Sequence, residues 1–156
     1  MKIQPIKQKD SSACGPASLK MAVSYFNLPI SLNKINNLSQ YHKKGGLYNK
    51  DLVKTLRKLG LKNKVINNAS WSDLIKYNKP ENVIIVSWML RGYIGHFSVV
   101  DKVTTKDIYL AEPESGKIIK LDKLVFLRLW FDFDPKWYPQ KNTDIHLRWM
   151  VVVSKN

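Results

Sequence analysis

The chain's single cysteine, Cys14, stands six residues after Gln8 and directly before Gly15-Pro16. Pro16 suits a first helical turn because it has no N–H to leave unpaired, and Leu19, Ala22, Val23 and Phe26 follow at helical spacing. Cys14 is therefore expected at a helix start, where the helix dipole and free N–H groups favour the thiolate, the form that attacks carbonyls. A glutamine at this spacing is the layout of a nucleophilic cysteine with an amide donor for the oxyanion formed on attack. A lone cysteine more often serves as a small buried hydrophobe. Cys14, however, precedes the apolar stripe, and Gly15 removes a side chain that would crowd an incoming peptide.

Such a nucleophile needs a base, and the chain offers His42, His96 and His146. His42 precedes the polar run Lys43-Lys44-Gly45-Gly46, and His146 opens the terminal run Leu147 to Val153. His96 follows Gly95 and leads into Phe97-Ser98-Val99-Val100, a β-branched stretch that reads as a core strand. A rigid element would thus fix its ring. An imidazole base works better when a carboxylate or amide fixes its tautomer and stabilises the imidazolium. Glu112 is the candidate, because a strand from Ile108 ends at Pro113, which cannot donate to a ladder, before the turn Ser115-Gly116. If residues 97–103 and 107–111 form a hairpin through Thr104-Thr105-Lys106, their far ends meet and His96 lies beside Glu112. Asp101 and Glu114 are the competing carboxylates.

Gln-x5-Cys-Gly-x-Ala-x-Leu-x-Met, Gly-His-Phe-x-Val-Val and an acid-Pro-x-x-Gly element, in this order, resemble the C39 peptidase family, cysteine proteases fused to bacteriocin-exporting ABC transporters. The resemblance extends over most of the chain, including Gly45-Gly46-Leu47 to Leu59-Gly60-Leu61 and the segment Leu124 to Trp130. It implies a papain-like fold, a triad of Cys14, His96 and Glu112, and Gln8 donating to the oxyanion beside the Cys14 N–H. It further implies a cysteine endopeptidase that cuts a bacteriocin-like precursor after a double-glycine leader, with an ABC transporter as a possible separate partner. Two positions depart from the family pattern. Its usual aspartate before proline is Glu112 here, one methylene longer, and its usual aspartate before the cysteine is Ala13, with Asp10 as the nearby carboxylate.

The elements that must position these groups follow from pattern and punctuation. After the Cys14 helix come a short helix starting near Ser31 and a third from Asn49 to Leu59, with Leu52, Val53, Leu56 and Leu59 on one face and Gly60 as its stop. A strand over 64–66 and a small helix capped by Ser70 close the helical half. Strands are expected at Val83–Met89, His96–Val103, Asp107–Ala111, Lys117–Leu121 and His146–Val153. A helix or turn after Asp122 and a loop rich in Pro135, Trp137 and Pro139 interrupt them. Helices first and antiparallel strands later make an α+β protein, with the nucleophile from one half facing the base from the other.

At 156 residues with 44% apolar content the chain suits a single domain with an adequate core, residues 1–156. No apolar run is long enough to span a membrane and the start has no secretion signal, so a stand-alone cytoplasmic peptidase is expected. One cysteine excludes an internal disulfide; scattered histidines argue against zinc, and no cofactor is called for. The net charge of +14 would attract a polyanion, but the lysines are spread along the chain and no nucleic-acid-binding motif accompanies them. A specific nucleic-acid partner is therefore not expected. The other alternative is a catalytically impaired family member that holds leader peptides without cutting them.

Overall fold

The computed structural model describes residues 2–134 and 137–156; Pro135 of the expected loop lies outside them. In chain order the helices α1 (Cys14–Tyr25), α2 (Leu32–Ser39) and α3 (Asn49–Lys58) come first, with a 3-10 turn at Tyr41–Lys44 between the last two. Next are β1 (Lys62–Ile66), α4 (Trp71–Tyr77), β2 (Asn82–Leu90), β3 (Ile94–Val103), β4 (Asp107–Glu112) and β5 (Lys117–Asp122). The chain closes with α5 (Lys123–Leu129), β6 (Phe131–Phe133), β7 (Ile145–Leu147) and β8 (Met150–Ser154). The class is α+β, with the helices at the N-terminal side and an antiparallel sheet following.

The local signals behind these elements are those expected. Ser31 caps α2 by accepting from the Lys34 N–H, and Ser70 caps α4 by accepting from Asp73. Gly60 takes the left-handed conformation, φ 76°, that stops α3. Around α1 burial is wider than one stripe: Cys14 to Leu19 and Met21 to Val23 are all buried. The helix is apolar on most sides because it packs between the sheet and the other N-terminal helices.

The sheet has six antiparallel strands in the order β1-β8-β2-β3-β4-β5. Successive side chains of a strand point to opposite faces, and here both faces are covered. Val83, Ile85, Phe97 and Val99 pack with α1 to α3, whereas Ile84, Val86, Trp88 and Val100 pack with α4 and α5. Two covered faces explain why Val83 to Leu90 is buried throughout and shows no apolar–polar alternation.

One expected strand is two. The run His146–Val153 breaks at Arg148, whose φ of 47° is left-handed. Ile145–Leu147 pairs with β6 in a separate two-stranded ribbon, while Met150–Ser154 enters the main sheet between β1 and β2. A single straight strand could not serve both sheets. The ribbon also divides the aromatic run that follows α5: Trp130 is fully buried beneath it, and Trp137 stays 90% exposed.

The β3–β4 hairpin has a feature that decides the site. From its turn, Val103 pairs with Ile108 and Lys102 with Tyr109; beyond a bulge at Asp101, Val100 pairs with Leu110 and Val99 with Ala111. Without the bulge Glu112 would fall opposite Val99 and point to the face away from His96. With it, the register carried one step on sets Glu112 opposite Ser98, on the face His96 shares. A one-residue shift exchanges the two faces of a strand. The bulged Asp101 accepts the Ile3 N–H at 2.6 Å, which ties it to the N-terminal segment.

Candidate active site

Cys14 opens α1, and its N-cap Ala13 supplies no side-chain hydrogen bond, so no capping side chain occupies the positive end of the helix. His96 enters the same place from β3. Both line a cleft of about 280 Å³ whose walls are Gly46, Leu47 and Tyr48 on one side and Gly95, Asp132 and Phe133 on the other. The two groups are nearly sealed, with 8% of Cys14 and 4% of His96 exposed.

Glu112 lies against the far side of the His96 ring. Its Oε1 is hydrogen-bonded to His96 Nε2 and also accepts the Glu114 N–H at 2.9 Å, while Oε2 accepts the Ser115 N–H at 2.9 Å. With Nε2 engaged, Nδ1 is the ring nitrogen left for Cys14, which lines the same cleft and contributes to the raised His96 pKa. Trp88 stands edge-on to the ring, centroids 6.2 Å apart, and its indole N–H is held by Ser98 Oγ at 3.0 Å. The imidazole is thereby fixed from three directions.

Burial alone would lower the His96 pKa. The hydrogen bonds and charges of Cys14 and Glu112 outweigh it and raise His96 from 6.5 to about 9. Burial would likewise raise Glu112, but His96 and the Glu114 and Ser115 N–H groups hold it at about 2 against an ordinary 4.5. The stability linked to His96 is complete below pH 6.5 and is lost as pH rises through about 9. That linked to Glu112 is complete above pH 4.5 and is lost as pH falls through about 2. Both contributions are whole between pH 4.5 and 6.5. Thermal melts from pH 3 to 10 are expected to show the alkaline decline flattened by His96→Ala; an unchanged decline would contradict the coupling.

The remaining sequence candidates are placed elsewhere. Asp101 serves the bulge, and Glu114 makes a two-pronged ion pair with Arg91, at 3.0 and 2.6 Å. His42 is exposed beside Tyr41, and His146 pairs with Asp134 at 3.1 Å. Gln8 does not line the cleft. Its Nε2 donates to the Asp10 carbonyl at 2.7 Å, and it borders a second, smaller depression with Ala13, Asn36 and Tyr41. Its backbone N–H does reach the acid loop, donating to the Pro113 carbonyl at 2.7 Å. The Asp10 carboxylate accepts the Ser12 N–H and the Tyr41 hydroxyl, both at 2.9 Å, and so braces the loop before Cys14. Gly15 faces Leu47 rather than incoming substrate: a Cβ there would stand 2.8 Å from Leu47 Cδ1. The absent side chain makes room for the cleft wall.

Sequence reasoning missed the wall opposite α1. Tyr93, Asp132, Phe133 and Trp137 reach the cleft from the β2–β3 turn and the ribbon. An acid within the aromatic run Trp130-Phe131-Asp132-Phe133 carried no motif that could have flagged it.

Comparison with known proteins places this arrangement. The peptidase domain of Streptococcus ComA, a bi-functional ABC transporter involved in a quorum-sensing pathway, superposes with a TM-score of 0.74 at 20% identity, covering 99% of this chain and 100% of that one. A double-glycine-motif protease from an AMS/PCAT transporter, crystallised with its leader peptide, gives 0.73 at 21% identity over 99% and 93%. The peptidase domain of Streptococcus mutans ComA gives 0.66 at 19% over 97% and 98%. No curated protein sequence matches. The likeness in structure gives the fold, papain-like as in these peptidase domains, and the profile of the peptidase C39 family covers residues 2–133, most of the chain. The chain belongs to the peptidase C39 family.

Proposed function

We propose that the chain is a cysteine endopeptidase that removes a leader peptide by cutting after a Gly-Gly-type pair. The observation that carries this reading is that Cys14 and His96 line one cleft while Glu112 is hydrogen-bonded to His96 Nε2. Attack of the Cys14 sulfur on the scissile carbonyl forms a C–S bond and an oxyanion. The oxyanion is met by the Cys14 N–H and by Gln8, once the Gln8 amide turns from the Asp10 carbonyl. As the C–N bond breaks, His96 passes its Nδ1 proton to the leaving amine, and it then draws a proton from the water that hydrolyses the thioester. Glu112 holds Nε2–H throughout, so the ring neither turns nor changes tautomer.

Small residues before the cut fit a cleft that Leu47 narrows beside Cys14 and whose volume lies at the lower end for binding sites, roughly 300–1,000 Å³. The net charge of +14 favours an acidic leader. A similar double-glycine-motif protease has been crystallised with its leader peptide. Incubating the protein with a panel of double-glycine leaders and reading the products by mass spectrometry is expected to show one cut after the second small residue. Leader binding is expected to weaken several-fold from about 50 to 500 mM salt, since exposed charges are screened.

The position of the Gln8 amide favours one second reading, a module that holds leaders without turning them over. Salt-sensitive leader binding with no cleavage of any leader would establish it.

A further inference from the structure

The ribbon β6–β7 brings into the cleft a carboxylate that the relay does not use. Asp132 lines the same cavity as Cys14 and His96. It lies over Gly95, where a Cβ would stand 2.8 Å from Asp132 Oδ1, so the residue before His96 is a glycine against which the acid can close. Its oxygens are held but not saturated. Ser87 Oγ donates to Oδ2 at 2.9 Å and the Phe133 N–H to Oδ1 at 2.7 Å, whereas a carboxylate offers about four acceptor positions.

Among the described residues no lysine or arginine forms an ion pair with Asp132, although the chain carries 26 of them. Burial, with the nearby Asp134, raises its pKa against the Phe133, Ser87 and His146 contributions. An under-compensated, half-buried charge is relieved most by a partner of opposite sign. The rim around it is aromatic: Phe133 is half-buried, and Tyr93 and Trp137 are 72% and 90% exposed. Aromatic faces suit the apolar stem and the charged head of a long basic side chain.

We propose that Asp132 is the floor of a subsite that binds a lysine or arginine side chain of the peptide, close to the bond that is cut. This rests on the peptidase reading for its substrate, and it gives the cleft a polarity opposite to that of the surface. The basic exterior draws an acidic leader, while Asp132 selects a basic residue beside the cleavage point. Specificity of this kind comes from a residue outside the relay and alters KM before kcat.

The test uses Cys14→Ala protein, which binds without cutting, and ten-residue peptides with a central Gly-Gly pair. Lysine is placed in turn at each of the three positions on either side of the pair, each peptide being matched with one carrying norleucine. At one position lysine is expected to bind about fivefold to tenfold tighter than norleucine. In the Cys14→Ala, Asp132→Asn protein the ratio is expected to fall to about one or below, since the +14 exterior itself repels lysine. No lysine preference at any position, or a preference that survives Asp132→Asn, would overturn the proposal. The first of these needs no Asp132 variant, so a misfolded variant does not shield the idea. Wild-type turnover on the norleucine peptides separates the two readings. Cleavage without lysine preference removes the subsite and leaves the peptidase; lysine preference without cleavage does the reverse.

Discussion

Cys14→Ala is expected to abolish peptide hydrolysis, and His96→Ala to lower it by on the order of a thousandfold or more, because members of such a relay act as a unit. The distinguishing measurement is chemical rather than kinetic. His96 remains an imidazolium up to about pH 9, and a cation beside a sulfur speeds its attack on an electrophile. Alkylation of Cys14 by iodoacetamide at pH 6 is therefore expected to be at least tenfold faster in the wild type than in His96→Ala. Equal rates would remove the dyad. In the peptidase assay the rate is expected to decline above about pH 9, as His96 loses the proton that the leaving amine requires.

Glu112→Gln is expected to lower kcat by about ten- to a thousandfold with KM little changed. With its NH2 in the place of Oε1, the amide oxygen can still accept the Ser115 N–H but not the Glu114 N–H, and the backbone bond from the Gly116 N–H to the residue 112 carbonyl keeps the turn. What the amide removes is the negative charge, and what it adds is an N–H aimed at His96 Nε2, which imposes the wrong tautomer. The His96 pKa, raised in part by Glu112, is expected to fall, and the alkaline limb of the pH–rate profile with it. Far-UV circular dichroism serves as the control for folding. Unaltered turnover would take Glu112 out of the mechanism, and neither Asp101 nor Glu114 would replace it without leaving its present partner.

Much of the candidate site was legible from local physics. Pro16 and the helical spacing of Leu19, Ala22, Val23 and Phe26 set a helix start at Cys14. The β-branched run after His96 set a strand, and Pro113 ended the next one at Glu112. Each of these depends on a few neighbouring residues, and backbone propensity is enough to read them.

What tertiary structure alone decided is which way these residues face and what closes around them. The expected hairpin brought His96 and Glu112 to the same end, but end and face are separate matters. Strands covered on both sides show no alternation, so nothing in Phe97 to Val103 or Ile108 to Ala111 says which face Glu112 takes. The bulge decides it, and the bulged Asp101 is tied to Ile3, 98 residues earlier. The same holds for the wall opposite α1. The left-handed turn at Arg148 lets one run of sequence serve two sheets, and the ribbon so formed carries Asp132 to Gly95 and Ser87. Helix starts and strand ends are set by nearest neighbours; facing and closure are set by contacts between segments that only the folded chain brings together.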